Sequence, residues 1–112
     1  MQNTIPPFTL RQLRYLVALE DTQHFREAAE SCGISQPSLS VQIKTLEEAL
    51  AQTLVERGRG PVRLTLAGRE VARRGRDMLD AAQSILDLTV SLENGLAGTI
   101  RMGTSATLGP YL

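Results

Sequence analysis

From Ile34 to Leu46 the chain reads ISQPSLSVQIKTL, where amides, hydroxyls and one ammonium group interleave with aliphatic side chains. These groups form directional hydrogen bonds and carry little charge, which suits recognition of a surface that presents both donors and acceptors. The major groove of duplex DNA is such a surface, and it admits one α-helix. On a helix, Gln36 can pair with an adenine edge, and Ser38 and Thr45 can bond to either kind of edge. Pro37 and Val41 can touch a thymine methyl, while Ser40, Gln42 and Lys44 can reach phosphates or bases. A helix N-terminus itself attracts phosphate. The competing reading of the same face is an ordinary solvated one, or a helix that binds protein.

A reading helix must be held from behind, and the intervening residues do this. Ser35 is a good N-cap, and Pro37 falls in the first turn, where its missing N–H costs little. Leu39, Ile43, Leu46 and Leu50 form the buried stripe of this helix. Before it, HFREAAESCG predicts a short helix with Phe25, Ala28, Ala29 and Cys32 on one stripe. Its two alanines allow another helix to approach closely, and Gly33 stands where a positive φ ends a helix. Gly33, Ile34 and Ser35 thus join two helices in the layout of a helix-turn-helix. Earlier still, FTLRQLRYLVALEDTQ predicts a helix capped by Thr9, with Leu10, Leu13, Leu16 and Val17 inward.

After the reading helix, the β-prone runs Thr53–Glu56 and Val62–Thr65 flank Gly-Arg-Gly-Pro, which predicts a hairpin. Arg57, Arg59 and Arg63 surround its turn and could contact backbone or a narrow minor groove. Thr65 then caps a long helix over roughly Leu66–Asn94, whose Arg69 and Arg73 lie near the hairpin. Val71, Met78, Ile85 and Leu92 recur every seventh residue along it, with Leu88 three beyond Ile85. That repeat predicts a dimerisation seam, with packing against its own domain as the alternative. Gly75 inside the helix is open to a close approach between chains. Gly95 and Gly98 are expected to end the helix, and TIRMGTS predicts a strand with no pairing partner in the chain. The predicted organisation is therefore a winged helix-turn-helix over 1–65, a linker and dimerisation helix over 66–94, and over 95–112 a hinge with the start of a truncated regulatory domain.

Bulk properties agree with this plan. The 112 residues carry zero formal net charge, but residues 1–76 hold eleven Lys or Arg against eight acids, and residues 77–112 one Arg against four. Seven arginines lie between Arg57 and Arg76, with Glu70 the single acid after Arg57 in that window. The one cysteine, Cys32, sits on an apolar stripe and reads as a buried structural thiol. It permits no disulfide within the chain, which points to a reducing, cytoplasmic setting. His24 has no cysteine or carboxylate cluster at ligand spacing and reads as a helix-start residue, so no metal and no cofactor are expected. The longest apolar run, Tyr15–Leu19, is too short to span a membrane. There is no nucleophile–base pair and no phosphate-cradling loop, so catalysis is not expected.

Specific motifs sharpen the picture. The AA pair, SQPSLS, QIKTLE, LVER and LTLAG stand at the relative spacing of the N-terminal domain of LysR-type transcriptional regulators, which residues 8 to 94 resemble. The resemblance implies a mainly α winged helix-turn-helix with a small β-hairpin wing and a long C-terminal dimerisation helix. It also implies sequence-specific binding of double-stranded DNA at an interrupted palindromic operator by a homodimer, and a tetramer in the full-length protein. Many members carry Arg where Val41 stands. Within the family the peroxide-sensing regulators are most similar, and TLGPYL resembles the start of their regulatory domain. By that resemblance alone, Thr107 matches a threonine lining the effector pocket. The redox cysteines of those regulators have no counterpart here. A LysR-type regulator of another subgroup, responding to a small-molecule inducer, is the alternative.

Overall fold

A computed structural model describes residues 5–98 of the chain. The chain divides between Asp77 and Met78 into two units. In the first unit, α1 (Leu10–Thr22), α2 (Phe25–Cys32) and α3 (Gln36–Leu50) are followed by a hairpin of β1 (Val55–Glu56) and β2 (Arg63–Leu64). The last element, α4 (Leu66–Gly98), begins in this unit. The mainly α fold with a small wing is therefore the one expected.

The helix starts follow their capping chemistry. The Thr9 hydroxyl accepts from the Gln12 backbone N–H at 3.1 Å, and the Gln12 side chain returns an oxygen to the Thr9 N–H at 3.0 Å. Ser35 Oγ accepts from Ser38 N at 3.2 Å, with Pro37 in the first turn of α3. Thr65 Oγ1 accepts from Gly68 N at 2.9 Å at the start of α4. Gly33 ends α2 at φ 71° as the sequence predicts, but α1 and α3 end on Gln23 at φ 64° and Ala51 at φ 55°. The hairpin is shorter than expected: only Val55↔Leu64 and Glu56↔Arg63 pair, antiparallel. Between the strands, Arg57 and Val62 flank the Gly-Arg-Gly-Pro turn. Gly95 does not end α4, which runs to Gly98. The strand expected over 99–105, and Thr107, lie outside the described residues.

Leu16, Leu19, Leu39, Ile43, Leu46, Leu54 and Val55 are fully buried and form the centre of the first unit. Each contributes roughly 1.5–3 kcal/mol of burial. Because α1 packs on both α2 and α3, its buried arc is broad: Leu13, Tyr15, Leu16 and Leu19 are inside. Leu10, expected inward, is 43% exposed, and Val17 is half-buried. Cys32 departs from expectation in the same way. It is half-buried against the core, not enclosed, because it occupies the last turn of α2 at the rim.

The start of α4 belongs to this core. Ala72 is fully buried, and Val71 packs against the same cluster. Two glycines let the helix lie so close. A Cβ on Gly68 would stand 2.0 Å from the Leu54 carbonyl oxygen, and one on Gly75 would stand 3.3 Å from Leu13 Cβ. Gly75 therefore serves an approach to α1 within the chain, where the sequence had left an approach between chains open. Arg76 adds a polar tie, donating to Glu20 at 2.8 Å and Asp21 at 2.7 Å.

In the second unit, Met78, Ile85, Leu86, Leu88, Val90 and Leu92 are large apolar side chains exposed on α4. Among the described residues, no helix is long and apolar enough to cross a membrane.

Candidate nucleic-acid interface

The α3 backbone sorts its side chains onto two faces. Leu39, Ile43 and Leu46 are buried beneath it. Gln36, Pro37, Ser38, Ser40, Val41, Lys44 and Thr45 are all exposed on the other side, and Gln42 lies half-buried on the flank. The helix itself is fixed at both ends. Ser35 caps its start, and at its far end the Glu47 carboxylate reaches the next segment. Glu47 Oε2 accepts from the backbone N–H groups of Leu54 at 2.8 Å and Val55 at 3.1 Å, and Oε1 from Arg57 at 3.0 Å. The side chain of Glu47 thus ties α3 to the segment that opens the hairpin. A further bond, from Val62 N to the Gln23 carbonyl at 2.8 Å, anchors the other side of the wing.

The exposed groups are not equivalent in polarity. Thr45 donates its hydroxyl hydrogen to the Val41 carbonyl at 2.9 Å, so it offers only lone pairs outward. Gln42 Oε1 accepts from Gln12 Nε2 at 3.2 Å. Gln36 is exposed and has no side-chain bond among the described residues, so both ends of its amide are unengaged. Val41 is 60% exposed, an apolar spot between polar neighbours. It shares a shallow surface depression with Ser40, Lys44, Thr45 and Glu48.

The arginines separate into two groups. Arg57 is engaged with Glu47, and its guanidinium stands 6.0 Å from the centre of the Phe25 ring. Its structural work is to hold the wing, a role that the sequence reading did not give it. Arg69 donates to the Leu64 carbonyl at 3.2 Å. Arg73 and Arg74 both pair with Glu70. The Arg73 hydrogen bond, more than its charge alone, holds the Glu70 carboxyl below the usual range, and Glu70 in turn raises the Arg73 guanidinium. Arg76 is raised by its hydrogen bonds to Asp21 and Glu20. Of the seven arginines from Arg57 to Arg76, that leaves Arg59 and Arg63, exposed and without an ion pair or side-chain hydrogen bond among the described residues. Both are on the wing.

The model of bacterial regulatory helix-turn-helix proteins of the lysR family matches residues 10–69, the segment that builds α1 to α3, the hairpin and the start of α4. The chain belongs to the lysR family. The hydrogen peroxide-inducible genes activator of Dickeya chrysanthemi is 39% identical over 103 residues, covering 92% of this chain and 34% of that protein. The HTH-type transcriptional regulator EstR of Acinetobacter baylyi is 41% identical over 104 residues, covering 93% and 35%. The chain thus spans about a third of the length of the curated relatives it matches. Among solved structures, full-length OxyR C199D from Pseudomonas aeruginosa superposes with a TM-score of 0.72 at 43% identity, covering 75% of this chain and 28% of that one. The BenM DBD in its complex with catB site 1 DNA superposes with a TM-score of 0.75 at 38% identity, covering 79% and 98%.

In this lysR-family chain, the structure brings Gln36, Ser38, Ser40, Val41, Lys44 and Thr45 onto one exposed face, as their spacing predicts. Sequence reasoning missed Gln12 and Glu47, which orient that face from behind. Neither carries a local signal. Gln12 reads as a capping residue, and Glu47 as one of two adjacent acids in LEEAL.

Proposed function

We propose that the chain is the DNA-binding part of a transcriptional regulator that reads an operator with α3. The observation that carries this reading is the division of α3 into a buried aliphatic stripe and an exposed face of amides, hydroxyls and one lysine. Gln36, Pro37, Ser38, Ser40, Val41, Gln42, Lys44 and Thr45 supply the groove contacts. Arg57, Arg59 and Arg63 supply backbone or minor-groove contacts, Arg57 while also supporting the wing. The DNA complex formed by the similar BenM domain supports the choice of ligand.

In this proposal residues 1–65 are the winged helix-turn-helix, α4 from Leu66 is the linker helix, and the residues after Gly98 are the hinge and the start of a regulatory domain. Met78, Ile85, Leu88 and Leu92 form the seam of a homodimer, with Val71 at its inner end, packed on its own domain. A two-fold dimer reads an interrupted palindrome. The protein acts in the cytoplasm, where its DNA lies, and does so without a catalytic step. Its similarity to OxyR and to a peroxide-inducible genes activator supports a peroxide-responsive regulator.

A salt titration of binding to duplex DNA tests the central claim. Affinity falls with salt on a log–log slope of about −0.9 per phosphate contacted. A slope near zero would leave α3 as a protein-binding helix, and equal affinity for all duplexes would leave it holding the DNA backbone without reading bases. For the effector, the longer protein is footprinted on its operator before and after hydrogen peroxide. Unchanged contacts would assign it to another inducer class.

A further inference from the structure

The polar face of α3 is wired to a buried glutamine on α1. Gln12 is only 6% exposed, and it is the one buried polar side chain of the described core. Its orientation is not free. The Thr9 backbone N–H can only donate, so the Gln12 atom bonded to it at 3.0 Å is the oxygen. The Gln12 NH2 group is thereby turned toward α3. There it donates to Gln42 at 3.2 Å, so the Gln42 atom that meets it is again the oxygen. Reversing either amide would set N–H against N–H at a part-buried position, where an unmet donor is costly.

We propose that Gln12 is a positioning residue that fixes the Gln42 amide with its NH2 group outward, so that Gln42 meets DNA as a hydrogen-bond donor only. This rests on reading the α3 face as the DNA-binding one. A donor-only side chain matches an acceptor: guanine O6 or N7, thymine O4, adenine N7, or a phosphate oxygen. It cannot recognise the amino group of cytosine, nor make the two-point contact to adenine that needs both ends of an amide. Gln36, whose amide is unengaged, keeps that second mode. The two glutamines of one helix thus read by different rules, and a residue thirty positions earlier in the chain sets one of them.

Gln12→Glu tests the wiring, because it keeps an acceptor for the Thr9 N–H and removes the donor toward Gln42. The Gln42 amide then turns over and presents its oxygen. Duplexes selected from a random library by the wild-type chain and by Q12E are compared at pH 8, with circular dichroism melting as the control for folding. If Gln42 faces a base, the expected result is a reversal at one position, from guanine or thymine to cytosine or adenine, with about two- to tenfold discrimination each way. If it faces a phosphate, Q12E weakens all duplexes alike, and a methylphosphonate at one linkage abolishes the difference between the two proteins. Either outcome supports the proposal. Identical preferences and affinities for Q12E and a wild-type chain that itself discriminates would overturn it and leave the DNA-binding reading intact. A wild-type chain that selects no sequence overturns both. Should Q12E fail to fold, Gln12→Leu frees the Gln42 amide to rotate and broadens the preference; an unchanged preference in Q12L overturns the wiring.

Discussion

Two surfaces of this chain face outward without a partner among the described residues, and they are built from opposite materials. The outer face of α3 is amide, hydroxyl and ammonium over a buried aliphatic stripe. On α4 the exposed row of Met78, Ile85, Leu88 and Leu92 is apolar. Both have helical periodicity. What separates them is the chemistry each requires of a partner. The first keeps its hydrogen bonds only if the partner offers donors and acceptors. The second gains only if the partner removes apolar surface from water, at roughly 25 cal/mol per Å². A duplex suits the first and a second copy of α4 the second. The first face is also anchored, by Ser35 at one end, Glu47 at the other and Gln12 on its flank.

The contrast can be broken most forcefully from below. Gly68→Ala places a methyl group 2.0 Å from the Leu54 carbonyl oxygen. The clash is with backbone, so relief requires α4 or the wing to shift, at a cost of about 3 kcal/mol or more. Thermal melting should fall sharply, and DNA binding should go with it. A melting point within a degree or two of wild type would mean that the start of α4 does not press on the Leu54 backbone.

Ile85→Asp addresses the apolar surface alone. A carboxylate in a closed aliphatic seam should weaken association by about 2–3 kcal/mol, roughly a hundredfold in the dimer constant. Ile85 is 61% exposed in the single chain, so folding of the first unit should be untouched. Sedimentation that still finds the same dimer would remove this stretch from the interface. Gln36→Ala does the converse. It should cost about 1–3 kcal/mol on the cognate duplex and almost nothing on random DNA. Equal losses on both would mean that Gln36 holds the backbone and does not read a base.

What the sequence revealed was local. Thr9, Ser35 and Thr65 cap because a hydroxyl at an N-cap meets an N–H two or three residues on, and that chemistry is visible in a short window. The Gln36–Thr45 face was legible because Leu39, Ile43 and Leu46 fix its opposite. Val71 and Gly75 were harder, since a seven-residue repeat cannot say whether a helix face meets its own domain or another chain. Here both meet their own. The tie that Arg57 makes was hidden for a similar reason. An arginine beside a turn looks free until the fold brings Glu47 and Phe25 to it. The Gln12–Gln42 bond likewise crosses thirty positions, and no periodicity encodes it.

The smallest expected effect separates stability from recognition. Ala51 closes α3 at φ 55°, a left-handed conformation in which a Cβ is strained. Glycine there relieves the strain, worth about 1–2 kcal/mol, but gives up about 0.5–1 kcal/mol through the greater freedom of the unfolded chain. Ala51→Gly should therefore stabilise the chain by roughly 0.5 kcal/mol, seen as a small rise in denaturant midpoint with an unchanged slope. The Ala51 backbone N–H bonds the Glu48 carbonyl, and Gln52 N the Glu47 carbonyl; neither bond needs the methyl group. Since Ala51 belongs to neither outward surface, DNA affinity and dimerisation should both stay at wild-type values. A loss of DNA affinity in a stabilised A51G would show instead that the rigidity of the α3 terminus is itself part of how the polar face is held against its ligand.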